Sequence, residues 1–75
     1  MSVKPLHNME VGDIAHITKF ADDIRLKSRL MEMGIVPDRK VRMIKKTPFN
    51  GPIEIKIRSF YITLRYEDSS LILVS

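Results

Sequence analysis

Three observations predict a mainly β fold, a small five-stranded SH3-like barrel with one short α-helix between its first and second strands. Ile53, Ile55 and Ile57 alternate with Glu54, Lys56 and Arg58, the period of a strand with one buried face. Short β-branched runs recur between turn-forming clusters, as in small bent sheets. One stretch, Leu26 to Met33, carries apolar residues at helical spacing and stops at Gly34.

Leu6, Met9 and Gly12 open the core, and Val11-Gly12-Asp13 reads as a turn. Ile14 to Lys19, continuing toward Phe20, has the β-branched character of a first strand. Asp22-Asp23 fits a helix start, because a carboxylate there accepts hydrogen bonds from orphan amides and opposes the positive end of the dipole. The helix is expected to run to about Met33, with Leu26, Leu30 and Met33 on one inward stripe. Gly34 suits a left-handed C-cap, and Pro37 forbids helical continuation. From Arg39 to Lys46, Val41 and Met43 share one face and Lys40 and Arg42 the other, a strand with a basic exterior. Thr47-Pro-Phe-Asn-Gly-Pro52 is dense in turn residues and leads into the isoleucine strand. A tight turn near Ser59-Phe60 returns the chain, so that Ile62 and Leu64 face inward and Tyr61, Thr63 and Arg65 face out. Glu67-Asp-Ser-Ser70 makes a short turn before the last strand, and closing the sheet on itself would protect its edges.

A chain of 75 residues reads as a single domain over 1–75. A domain of that size buries about 60% of its unfolded surface, too little for a large enclosed active site. Hydrophobic residues make up 44% and charged ones 29%, which suits a folded chain and excludes a disordered tail. Cysteine is absent, which excludes disulfides, thiolate metal sites and a cysteine nucleophile. Met1 to Leu6 lacks the apolar run of a signal peptide and the longest late run is Leu71-Ile-Leu-Val74, so a cytoplasmic location is expected.

Chemistry-bearing motifs are sparse. His7 and His16 lack the spacing that would gather donors around one ion, so neither a metal nor another cofactor is expected. Serine, histidine and acids occur without a nucleophile elbow or a phosphate loop, so the chain is not expected to be an enzyme. What stands out is charge: a net +4, concentrated in Arg39, Lys40, Arg42, Lys45 and Lys46. Such a patch suits an acidic partner, whether nucleic acid, anionic lipid or protein. Phe20, Phe49, Phe60, Tyr61 and Tyr66 are not interleaved with the basic strand, which favours a solvated charged face or an acidic protein partner over nucleic acid. The alternatives retained are a basic SH3-like nucleic-acid-binding module and an autonomous transition-metal-binding protein.

The helix offers a second surface. Ile24 and Met31 lie seven apart, opposite the Leu26 stripe, and Arg25, Lys27 and Arg29 flank them. Either one of the two stripes covers the barrel mouth, or the helix is short and irregular, or Ile24 and Met31 form an apolar handle with a basic rim that fits a partner groove. Arg65 can pair with Glu67 or Asp68, or touch a partner. The candidate partner-binding residues are therefore Ile24, Arg25, Lys27, Met31, Arg39, Lys40, Arg42 and Arg65.

Four motifs follow one another with specific spacing: Leu6-x-x-Met9-x-x-Gly12 leading into Ala15-x-Ile17; Arg29-Leu-Met-Glu-Met33-Gly34-Ile35-x-Pro37; Pro52-Ile53; and Ile62-x-Leu64-Arg65 before Ile72-x-Val74. Over nearly the whole chain this resembles the FeoA family, small companions of the ferrous-iron transporter FeoB. The chain departs from the family pattern at Asp38, at Asn50-Gly51 and at Ser59, where the family carries glycine or Gly-Asp. The resemblance implies a cytosolic accessory protein of ferrous-iron uptake, without catalysis, acting through contacts with the cytosolic region of FeoB, which includes a GTP-hydrolysing domain. The barrel also resembles the C-terminal domains of metal-dependent transcriptional repressors. This sequence has no helix-turn-helix, so operator binding is not expected.

Overall fold

A computed structural model describes residues 3–21 and 24–75, with the backbone alone at 24 and 25. The chain runs through β1 (Lys4–Pro5), a 3-10 turn (Leu6–Asn8), β2 (Ile14–Phe20), α1 (Ile24–Glu32), β3 (Lys40–Lys46), β4 (Ile53–Ile57), β5 (Phe60–Leu64), α2 (Tyr66–Ser69) and β6 (Ile72–Val74). The strands form one antiparallel sheet in the order β1-β6-β2-β3-β4-β5. The predicted helix start at Asp22-Asp23 lies outside the described residues.

β2 holds the fold together because it pairs on both sides. Its first half lies against β3, with Ile14 opposite Arg42 and His16 opposite Lys40. Its second half lies against β6, with Phe20 opposite Ile72, after a register shift between Ile17 and Lys19. Such a shift bends a strand and lets one sheet curl over a core. Ile17, Val41, Met43, Ile55, Ile72 and Val74 fill that core, each no more than 1% exposed. The isoleucine alternation holds: Ile53, Ile55 and Ile57 are all buried.

α1 ends as Gly34 predicts. The Gly34 amide donates to the Met31 carbonyl at 3.0 Å, and the Ile35 amide reaches back to Leu30 at 2.9 Å. Gly34 sits at φ +92°. This is the pair of bonds of a Schellman cap, in which the residue after the glycine packs against the last turn. Ile35 and Leu30 are both buried in the core.

Five expectations need correction. The sheet has six strands, not five, and it stays open: the added β1 pairs with β6, and no described ladder joins β1 to β5. β1 is two residues long and contains a proline, which lacks the N–H needed to extend a ladder. The chain then turns away, and Leu6 and Met9 plug the core instead. Met33 does not join the inward stripe and is 42% exposed. It lies just beyond the last residue of α1, its amide still reaching back to the Arg29 and Leu30 carbonyls, and three residues past Leu30 it stands to one side of the buried stripe. Leu26 is partly buried against the core, and Ile62 likewise. The tight turn falls on Arg58-Ser59, one residue earlier than predicted, with Ile57 opposite Phe60. Finally, Glu67 to Ser70 is not a simple turn, because Tyr66–Ser69 forms one helical turn in which the buried Ser69 hydroxyl donates to the Tyr66 carbonyl at 2.6 Å.

The three departures from glycine sort themselves by backbone conformation. Asp38 and Asn50 adopt φ of +70° and +59°, the left-handed region where these two residue types are tolerated best after glycine. Ser59 stays out of that region, and the positive φ of its turn, +57°, falls on Arg58.

Candidate docking face

The register of the sheet assembles a surface that sequence order conceals. Ile14 lies opposite Arg42, Arg42 opposite Lys56, and Lys56 opposite Tyr61, so one row crosses β2, β3, β4 and β5 on the outer face. The Lys56 ammonium sits 5.4 Å from the Tyr61 ring centroid, within cation–π range. Lys40 stands beside this row, opposite His16. Arg39, immediately before β3, and Arg58, in the β4–β5 turn, complete the edge.

Five cations, Arg39, Lys40, Arg42, Lys56 and Arg58, with the exposed Ile14, line one depression of about 380 Å³. The one ion pair among the described residues lies elsewhere, between Arg65 and Asp68. Like charges directly opposite each other, such as Arg42 and Lys56, destabilise a sheet. Folding alone does not favour this arrangement, whereas a multivalent anionic partner would relieve it.

A second depression, about 420 Å³, adjoins the first and shares Arg39 and Arg58 with it. Its other walls include Met33, Ile57 and Phe60, and Phe60 is 67% exposed. The surface therefore grades from basic to apolar over a short distance, the composition of a protein-binding patch with a charged rim.

Of the residues the sequence singled out, the structure brings Arg39, Lys40 and Arg42 together. Lys45 and Lys46 leave them, because the register shifts between Met43 and Lys45 and places Lys45 opposite Glu54. On the helix, Lys27 and Met31 are exposed, while the side chains of Ile24 and Arg25 lie outside the described residues. Arg65, itself exposed, places its Nε 3.5 Å from the half-buried Asp68 carboxylate. Sequence reasoning missed Lys56, Arg58, Tyr61 and Met33. For Lys56 and Tyr61 the signal was present in the outward half of the two alternating strands, but it needs the register to become a row.

The histidines are apart in kind as well as in place. His7 stacks on Tyr66 with ring centroids 4.3 Å apart, and His16 faces Lys40. Among the described residues no three of His, Asp and Glu are grouped to hold a metal ion. Among those residues, too, no helix is long and apolar enough to cross a membrane.

Comparison with known proteins adds identity to this geometry. A family model described as FeoA domain matches residues 4–75. The chain is 27% identical over 67 residues to the Fe(2+) transport protein A/Fe(2+) transporter FeoB fusion protein of Porphyromonas gingivalis (strain ATCC BAA-308 / W83), covering 89% of this chain and 8% of that protein. The chain thus spans a small fraction of that relative's length. The solution structure of iron(II) transport protein A from Clostridium thermocellum is 31% identical, with a TM-score of 0.85, over 93% of this chain and 43% of that one. A manganese-dependent transcriptional repressor complex with manganese superimposes with a TM-score of 0.90 at 22% identity, over 99% of this chain and 36% of that one. This last likeness is one of fold.

Proposed function

This chain belongs to the FeoA family, and from that membership we propose that it serves ferrous-iron transport as a non-catalytic accessory, docking on the cytosolic region of a FeoB transporter. The observation that carries the reading is the basic depression. Arg39, Lys40, Arg42, Lys56 and Arg58 converge there, and none of them has an ion-pair partner among the described residues. The fusion of the two proteins in the Porphyromonas relative supports FeoB as that partner, since joining them in one chain raises the effective concentration of each for the other. Met31 and Lys27 on the outer side of α1 extend the same proposal to the helix.

Docking alters transport only to the extent that the domain binds one state of the transporter more tightly than another. The test is a titration of purified FeoB cytosolic region, in its nucleotide-free, GDP and GTP-analogue states, with the wild-type domain and with Lys40→Glu/Arg42→Glu. The double variant is expected to bind at least tenfold more weakly, and the affinity to differ between nucleotide states. No binding by the wild type in any state would overturn the reading. Met31→Asp, run alongside, reports whether the helix takes part.

One observation favours a second reading. The row Ile14-Arg42-Lys56-Tyr61 sets an aromatic ring beside cations, a combination that single-stranded nucleic acid can use for stacking and phosphate contact. In that case affinity for an oligonucleotide falls steeply with salt.

A further inference from the structure

β5 is an edge strand without the usual guards. Natural sheet edges carry Lys, Pro or other charged residues that discourage pairing with another chain. Phe60-Tyr61-Ile62-Thr63-Leu64 carries none of these. Ile57 and Phe60 close a two-residue turn, so hydrogen-bonded pairs recur at Ile55–Ile62 and Ile53–Leu64, and the alternating pairs Lys56–Tyr61 and Glu54–Thr63 are not hydrogen-bonded. Tyr61 and Thr63 therefore direct their N–H and C=O groups away from β4. Among the described residues, these groups meet no other backbone group.

The two faces of this edge differ in chemistry. On the outer face stands Tyr61, 60% exposed, next to Lys56 and in line with Arg42. On the other face Phe60 borders the depression that contains Met33. We propose that β5 receives an extended segment of the transporter's cytosolic region as an added antiparallel or parallel strand, and that the segment alternates acidic and apolar residues. Successive side chains of an added strand point to opposite faces. Its acidic residues then meet Lys56 and Arg58, its apolar ones meet Phe60 and Met33, and its backbone bonds Tyr61 and Thr63, as in strand addition elsewhere. A second copy of this chain fits worse. Edge-to-edge pairing of two copies would continue the basic row of one into that of the other, with a net charge of +4 on each.

The inference rests on the docking reading above, and its test separates the two. Amide hydrogen exchange is measured on the wild-type domain alone and saturated with purified FeoB cytosolic region, together with affinities for Thr63→Pro and Lys56→Glu. Thr63 donates no ladder bond to β4, so proline there leaves the hairpin bonds in place and blocks only the outer side. The expected result is at least tenfold slower exchange at Tyr61 and Thr63 in the complex and at least tenfold weaker binding by both variants. Binding that leaves the exchange of Tyr61 and Thr63 unchanged overturns strand addition while sparing docking. Absence of any binding overturns both. Slowing at the same two amides in the domain alone as its concentration rises would identify a second copy as the occupant and overturn the acidic segment.

Discussion

Replacing Gly34 with alanine isolates one backbone conformation from everything around it. Gly34 holds φ at +92°, and a Cβ built there meets nothing within 4 Å. The cost is therefore the backbone's own, roughly 1–2 kcal/mol for an L-residue forced into a left-handed conformation. The lower entropy of the unfolded alanine chain offsets part of this, about 0.4–1 kcal/mol. Yielding is no better, because a relaxed φ breaks the bonds from Gly34 to Met31 and from Ile35 to Leu30 and pulls Ile35 from a fully buried position. The net loss is then about 1 kcal/mol. A chain of 75 residues has a total stability of about 4–11 kcal/mol at the usual value per residue. One kcal/mol lowers the melting temperature of such a domain by about 4–8 °C. Urea and thermal unfolding of Gly34→Ala and Gly34→Asn measure it. Asparagine tolerates left-handed φ better than alanine and is expected to lie between alanine and wild type. An alanine variant as stable as wild type would refute the reasoning, as would an asparagine variant less stable than alanine.

Two further predictions concern the β3–β4 hairpin and the core. Phe49→Gly is expected to raise stability by about 0.5 kcal/mol, because Phe49 is 101% exposed and sits at φ +60°, so strain is relieved and no packing is lost; a lower denaturation midpoint would contradict this. Ile55→Ala, at a position with no exposed surface, is expected to cost about 2–5 kcal/mol; a urea-derived loss below about 1 kcal/mol would mean that the core collapses around the missing atoms.

Local rules carried most of the fold. The alternation of Ile53, Ile55 and Ile57, the amphipathic stretch closed by Gly34 and the turn-rich Thr47 to Pro52 segment all express conformational preferences that a few neighbouring residues determine. The Asn50-Gly51 pair shows where those rules stop. It marks a turn, but the central positions with left-handed φ are Phe49 and Asn50, one residue earlier, with the Gly51 amide donating to the Pro48 carbonyl at 3.3 Å. Gly51 serves instead as clearance, since a Cβ there would lie 2.7 Å from the Thr47 Cγ2 atom.

The candidate site was half legible. Arg39, Lys40 and Arg42 are neighbours in the chain, so their shared charge was visible by reading along it. Their separation from Lys45 and Lys46 was not, because it depends on a register shift that only the pairing of β3 with β4 creates. The chain by itself determined which residues alternate, where the helix stops and that the surface is basic, for these follow from φ preferences and side-chain period over a few residues. Only the tertiary structure decided that Lys56, Arg58 and Tyr61 join Arg42, that Met33 and Phe60 border the same surface, and that β5 is left as an open edge. Those outcomes depend on which strands meet and in what register, and burial of the shared core, summed over the whole chain, decides that.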